Sequence, residues 1–431
     1  MDLRAVLYPE VGDGAAGARA SDRLGSMRVS QTALFAVEYS LARLWQSWEV
    51  TPQVVLGHSL GAYAAATVAG VLSLPDAVTL VLERSRLLDS LPAGAMLAVA
   101  LPERELEPLL TDDVSIAAVN GPAQCVVTGP AADVDTLHAR LVDQGAEANV
   151  LRISAAAHSV LVETVAAEFE DRVAQVTLNP PAIPWISDTT GSPVTDRDAC
   201  DPAYWRRHLR HTVRFADAMS TLLGSPEWCE SALVEMGPGQ TLSALARRHP
   251  GYRADHVLVS SLPHPADPAD SAAVAMGAVG RLWQAGVPIS WARLHDGARR
   301  LRTPLPTYPF DRRRFRLGPG DTDPGSSPEM PAPKPISCAP AIPDGDAKQV
   351  VAAAFADVLG LSEVGTDDSF FDLGGDSLMA ARLITAVRRT LGAELTVGAI
   401  FRAPTPAQLA AVIDTVPEDD SAPKRQQEES A

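Results

Sequence analysis

The chain has 431 residues, with 36 Lys+Arg against 53 Asp+Glu, a net charge of −17 and 46% hydrophobic content. The length allows about three domains with full cores, and the acidic balance repels polyanions, which excludes a nucleic-acid partner from the expectations. No opening stretch pairs a basic region with an apolar one, and the longest small-apolar run, Ala62 to Leu74, is too short for a bilayer, so a cytoplasmic protein with no membrane partner is expected.

In chain order, an apolar helical period predicts a helix over Gln31 to Trp48, then a short strand over Pro52 to Leu56. Helices follow over Leu60 to Ala69 and Pro75 to Leu91, which gives the strand-helix alternation of an α/β body. From Ala95 to Ile153 the pattern changes to strand, helix, strand, strand, helix, strand, the order of a ferredoxin-like subdomain. Its strands are expected at Ala95–Ala100, Val114–Val119, Gln124–Thr128 and Glu147–Ile153, roofing a cleft beside the larger body.

The strand at Pro52 runs into Gly57-His58-Ser59-Leu60-Gly61, a G-x-S-x-G turn from strand to helix. Such a turn is a nucleophile elbow: glycines permit the bend, the Ser59 hydroxyl projects into the cleft, and the Leu60 N–H can stabilise an oxyanion. The pentapeptide alone also fits an ordinary small-residue turn. Because adjacent side chains diverge on this turn, the proton acceptor has to come from somewhere other than His58. His158 follows the last subdomain strand after Ser154-Ala155-Ala156-Ala157, where the chain re-enters the cleft floor. On spacing alone, a structural histidine and a catalytic one fit that place equally.

Arg84 shares one helical face with Ala77, Leu80, Val81 and Leu88, which puts a guanidinium among inward-facing residues. An internal ion pair, a snorkelling stem and a fork for a ligand carboxylate all satisfy that pattern. Arg86, three residues after Glu83, reads as solvated surface. Cys125, Cys200, Cys229 and Cys338 show no CxxC spacing, so reduced thiols and no metal site are expected.

Residues 318–346 hold eight prolines among small and polar residues and should form an extended tether. Arg312-Arg313-Arg314 and Arg316, just before it, form the one basic cluster, which suits docking on an acidic neighbour or packing of the linker on the enzyme. Beyond the tether, Val351, Phe355, Val358 and Leu359 make one helical stripe, Leu378 to Val387 a second helix, and segments at Val397 to Phe401 and Pro406 to Ile413 complete a small helical bundle. Between the first two helices lies Asp372-Leu373-Gly374-Gly375-Asp376-Ser377-Leu378, which places Ser377 at a helix start, either as an N-cap or as the bearer of a phosphate-linked group. Asp368, Asp372 and Asp376 make its surroundings acidic.

Together these motifs carry a family resemblance. The stretch Phe370 to Leu378 resembles the attachment site of acyl and peptidyl carrier proteins, whose serine bears 4'-phosphopantetheine. Gly57 to Gly61, Arg84, Asn120-Gly121-Pro122, His158, Tyr204-Trp205, Val213-Arg214-Phe215 and Glu235-Met236-Gly237-Pro238-Gly239 resemble the acyltransferase domain of type I modular polyketide synthases. Leu305-Pro306-Thr307-Tyr308-Pro309-Phe310 is similar to the segment that follows that domain. The resemblance implies an acyltransferase over 1–297 with the inserted subdomain at about 95–153, a linker at 298–317, the tether, a four-helix carrier domain at 347–415 and a tail at 416–431.

It further implies that Ser59 takes a malonyl-type acyl group from CoA with His158 as general base, that Leu60 supplies an oxyanion N–H, and that Arg84 holds the acyl carboxylate. The cofactor would be 4'-phosphopantetheine on Ser377, and the implied partners are a phosphopantetheinyl transferase and an upstream ketosynthase or other synthase domains. Three departures qualify this. The family begins with a strand and a Gly-Gln-Gly loop that supplies a second oxyanion donor, and Met1-Asp2-Leu3-Arg4 resembles the middle of the domain. Loss of such a donor costs about 2.7–4 kcal/mol, so the alternative is a carrier and docking protein with an inactive transferase body. Ala62 replaces the glutamate usual after the elbow, and Ala155-Ala156-Ala157-His158 matches neither the malonyl nor the methylmalonyl tetrapeptide, which leaves the extender unit open.

Overall fold

The computed structural model describes residues 2–9, 14–151, 157–264, 267, 269–296, 347–359, 361, 363–371, 373, 375, 377–391, 395–396 and 398–414. The expected linker, tether and tail, the basic cluster at 312–316, Cys338, Asp372 and Asp376, and Ala155 and Ala156 of the tetrapeptide lie outside the described residues.

The helix expected from Gln31 begins earlier, at Met27, and runs to Ser47. Arg28 and Ser30 interrupt the apolar period there, but Val29 packs with Val6 and Ala20 in a small cluster of its own, and this tertiary contact extends the helix. Strand β1 is only Val55–Leu56, shorter than the apolar run, and pairs in parallel with β6, Trp185–Ile186. A second parallel pair joins β7, Leu233–Glu235, to β8, Leu258–Ser260. Helix Leu74–Asp89 starts with Pro75 in its first turn and with the Ser73 hydroxyl accepting the Asp76 N–H, a regular N-cap. The main core gathers Phe35, Tyr63, Leu80, Leu87, Phe169 and Trp205 beneath the elbow.

The inserted subdomain has strands β2 (Gly94–Val99), β3 (Ser115–Gly121), β4 (Gln124–Pro130) and β5 (Ala148–Leu151) in the order β3-β4-β2-β5, all antiparallel. With helices Glu103–Leu106 and Ala131–Asp143 between strands, this is the ferredoxin-like arrangement, displaced by one or two residues from the expected bounds. Leu97, Val127, Val134 and Leu141 close its own core against helix Ala131–Asp143.

The C-terminal body consists of helices Ala347–Leu359, Ser377–Leu391, Gly398–Arg402 and Pro406–Asp414. Val351, Phe355, Phe370, Leu383, Ile384, Ile400 and Leu409 form its core, while Val358 is only half-buried. Among the described residues no helix is long and apolar enough to cross a membrane.

Candidate active site

From β1 the chain turns through Gly57 and His58 into helix Gly61–Val68. The turn is tight at its first glycine: a Cβ on Gly57 would lie 2.2 Å from the Ala62 nitrogen, so no other residue fits. At Gly61 a Cβ would meet nothing within 4 Å, so only one of the two flanking glycines is sterically required. Ser59 sits at the apex with φ +52, a left-handed conformation that residues with a side chain avoid. The Leu60 N–H next to it donates to no group among the described residues and is available to an incoming oxyanion.

His158 also holds a positive φ, +60, and is 3% exposed. Its Nε2 lies 2.7 Å from Ser59 Oγ. The other ring nitrogen, Nδ1, is 2.8 Å from the His211 carbonyl oxygen, which can only accept, so Nδ1 carries the proton. Nε2 is then the acceptor that faces the hydroxyl, the tautomer a general base requires. Burial, with the Arg84 guanidinium and His208 beside it, pushes the His158 imidazole down to about 3, so the ring is neutral at physiological pH.

Arg84 reaches the same oxygen from another side. It is 1% exposed, its Nη2 lies 3.1 Å from Ser59 Oγ, and its Nη1 donates to Gln31 Oε1. Gln31 Oε1 also accepts from the Ser85 hydroxyl, and the guanidinium lies 5.8 Å from the centre of the Tyr63 ring. Among the described residues no carboxylate stands within ion-pair distance of Arg84, and its buried Nε has no hydrogen-bond partner. The internal ion pair left open by the sequence is therefore absent among the described residues. Arg86 is a surface residue as expected, paired with Glu83 and Glu168.

Other residues at the site carried no local sequence signal. Gln31 orients Arg84, the His211 carbonyl fixes the His158 tautomer, and Asp188 Oδ2 accepts the Ser59 N–H at 2.6 Å. His58 turns away from the hydroxyl and places its Nε2 2.8 Å from Asn120 Oδ1, so Asn120-Gly121-Pro122 braces the elbow from the subdomain side. An open groove of about 990 Å³ lined by Glu103, Arg214, Asp217 and His249 reaches Gly121 and Pro122 but not Ser59, His158 or Arg84, and Arg214 there is paired with Glu103 and Asp217.

In the C-terminal body, Ser377 opens a helix of fifteen residues, the position at which backbone N–H groups favour a phosphate. Gly375 just before it is buried, and a Cβ there would lie 2.3 Å from a ring carbon of Phe370. The turn is thus held directly on the aromatic core, and the start of the helix fits a phosphodiester-linked group.

A Ser–His pair with a buried guanidinium beside it, in an α/β body with an inserted ferredoxin-like roof, defines an acyl-transferring class of protein. Residues 17–259 match the family described as acyl transferase domain, and residues 349–413 match the phosphopantetheine attachment site family. The chain belongs to the acyl transferase domain family, joined to a carrier domain that bears covalent 4'-phosphopantetheine, and its homologues are type I polyketide synthases.

It is 35% identical over 422 residues, 95% of this chain, to a phenolphthiocerol/phthiocerol polyketide synthase of Mycobacterium tuberculosis. It is 37% identical over 404 residues, 90% of this chain, to the polyketide synthase GfsA of Streptomyces halstedii. The chain spans 27% of the first relative and 5% of the second. Among solved structures, the acyl transferase domain of ZmaA matches with a TM-score of 0.64 at 32% identity, covering 71% of this chain and 70% of that one. The acyl transferase domain of SpnD in complex with 2-(pent-4-yn-1-yl)malonyl matches with a TM-score of 0.60 at 39% identity, covering 67% and 66%.

Proposed function

We propose that the chain transfers a malonyl-type acyl group from CoA, through an ester on Ser59, to the carrier domain of the same chain. The observation that carries this reading is the convergence on one oxygen: Ser59 Oγ lies 2.7 Å from His158 Nε2 and 3.1 Å from Arg84 Nη2. A cation with an unpartnered buried Nε beside a nucleophile suits a substrate that brings its own negative charge. SpnD, one of the structural relatives, was solved with a malonyl derivative, which supports the same substrate class here.

In the forward half-reaction His158 Nε2 takes the proton of Ser59 Oγ as that oxygen attacks the thioester carbonyl, and the Leu60 N–H faces the developing oxyanion. The CoA sulfur leaves and receives the proton held on Nε2, which leaves an acyl ester on Ser59 and a neutral imidazole. The same nitrogen is then placed to take the proton of an incoming thiol. Bound on Ser377, 4'-phosphopantetheine supplies that thiol. Arg84 keeps the acyl chain in place between the two halves through its carboxylate, and that carboxylate cancels a positive charge which otherwise opposes protonation of His158.

In this reading residues 1–297 form the transferase, with the subdomain at about 95–153, and 347–415 form the carrier domain. A phosphopantetheinyl transferase primes Ser377, and an upstream ketosynthase or other synthase domain uses the loaded arm. Intact-mass measurement of the primed protein with malonyl-CoA tests the proposal. Gain of a malonyl group on the carrier that disappears in both Ser59→Ala and Ser377→Ala is the expected result. A folded, primed protein that gains nothing would instead favour a carrier with an inert transferase body.

A further inference from the structure

We propose that Asp188 is a positioning residue for acyl transfer, its buried carboxylate fixing the elbow by accepting the Ser59 N–H, while one helix steadies both that carboxylate and His158. The inference rests on the reading of Ser59 as the nucleophile and adds a residue to which the sequence motifs gave no role.

The argument begins with the backbone. A residue with a side chain at φ +52 is strained and persists only where surrounding contacts enforce it. Ser59 precedes a helix, and its N–H is not part of the helical ladder, so it needs an acceptor from elsewhere. Asp188 Oδ2 is that acceptor, at 2.6 Å across 129 residues of sequence. Asp188 follows β6, the parallel neighbour of β1, so donor and acceptor stand at the carboxyl ends of adjacent strands, and strand pairing sets their distance.

Asp188 is 1% exposed, and a carboxylate taken out of water needs compensation. Its other oxygen, Oδ1, lies 3.2 Å from His208 Nε2, close enough for an ion-pair contact though off the line of a hydrogen bond. Its own carbonyl accepts the Arg214 N–H, which fixes the backbone behind the carboxylate. Burial pushes the Asp188 carboxyl upward, yet His208, His58 and the Ser59 N–H together hold it below the ordinary range, so it stands as an anion.

Helix Pro202–Arg210 links the two halves of the site. It carries His208, whose ring lies against those of Tyr63 at 5.6 Å, Trp205 at 6.1 Å and His158 at 6.2 Å. Its C-cap residue, His211, supplies the carbonyl that receives the His158 Nδ1–H. Asp188 therefore fixes the nucleophile's backbone while resting against a helix that also fixes the base, and the 2.7 Å between Ser59 Oγ and His158 Nε2 is set by this shared support. Asp188 touches neither reacting atom, and its role is exercised through Ser59.

The test uses the full chain and two readouts: the rate of Ser59 acylation by malonyl-CoA, from rapid quench and intact mass, and hydrogen exchange of the Ser59 amide without CoA. Asp188→Ala, which leaves the N–H unpaired, is expected to lower the maximal acylation rate about 100-fold, the effect of misplacing a reacting group by an ångström. The half-saturating malonyl-CoA concentration should not move, since Arg84 is untouched, and the Ser59 amide should lose its protection. Asp188→Asn keeps an acceptor oxygen and should restore most of the rate and the protection.

Should the alanine variant not fold, His208→Gln, which removes the ring against Asp188 Oδ1, serves instead, with faster Ser59 exchange and slower acylation expected. Wild-type rates and protection in Asp188→Ala, or in His208→Gln where that variant stands in, overturn the proposal, as does an asparagine variant as impaired as the alanine one. If the wild-type chain takes no acyl group, the transfer reading fails separately, and the exchange readout alone decides whether Asp188 holds the elbow.

Discussion

Arg84 Nη2 stands 3.1 Å from Ser59 Oγ although 25 residues separate the two in sequence, and no acidic side chain among the described residues pairs with that guanidinium. Among the described residues this cation is compensated by neutral oxygens from Gln31 and Ser59 and by the face of the Tyr63 ring, which leaves most of its charge for a ligand.

The first expectation follows from that charge. Truncating one member of a buried charge pair costs about 2–5 kcal/mol, so Arg84→Ala should lower malonyl transfer by at least about thirtyfold. Acetyl-CoA, which lacks the carboxylate, should lose far less and become the better substrate of the variant. Competition between the two thioesters, read by intact mass, measures the ratio. An unchanged preference would remove Arg84 from substrate recognition.

A second expectation concerns pH. With His158 held at about 3, below its ordinary value of 6.5, the proton-accepting form is already full well below neutrality. The value of kcat/KM reports groups of the free enzyme, so Ser59 acylation should stay flat from about pH 8 down to about pH 5. An acidic limb centred near the ordinary imidazole value would contradict the burial that sets this pKa.

Glu38 titrates in the opposite sense. Burial, and then the neighbouring Glu235 carboxylate, raise its pKa from 4.5 to about 8. Its folded-state value lies above the unfolded one, so the stability it contributes is complete below pH 4.5 and is lost as pH rises through about 8. Glu38→Gln should therefore gain in melting temperature relative to wild type as pH rises from about 5 to about 9, which thermal denaturation across that window would measure.

The two glycines of the elbow should behave differently. Gly57→Ala forces a Cβ to 2.2 Å from a backbone nitrogen and is expected to cost about 3 kcal/mol or more, together with loss of transfer. Gly61→Ala enters open space at a helix start and should leave stability unchanged or raise it by up to about 1 kcal/mol. Chemical denaturation of both variants checks the pair, and equal costs would show that the turn is not what makes Gly57 necessary.

In the carrier domain, Gly375→Ala drives a Cβ into the Phe370 ring, which should cost about 1–3 kcal/mol by overpacking. Because Ser377 lies two residues beyond, priming by a phosphopantetheinyl transferase should slow as well. A variant primed at the wild-type rate would show that the turn tolerates displacement.

The sequence was most informative where chemistry is local. Ser59 and Leu60 lie within one pentapeptide, Arg84 within one helical face, and the ferredoxin-like pattern within about sixty residues of alternating periods. His158 was legible as a candidate and no more, since only the fold brings its Nε2 to Ser59 across 99 residues. Gln31, Asp188, His208 and His211 were not legible, because each acts through a contact 20 to 129 residues distant or through a backbone carbonyl, and neither leaves a local pattern. β1 was overestimated for a related reason: the five-residue stretch Pro52 to Leu56 reads as a strand, but pairing with β6 extends over only two.

Both Ser59 and His158 sit in backbone conformations that only glycine occupies at ease. A glycine at either place would relax the chain, so drift toward greater robustness pulls against the two residues proposed as nucleophile and base. On the proposed reading, a lineage that had abandoned acyl exchange would be under no pressure to resist that pull at these two tensed positions, which are turned toward each other.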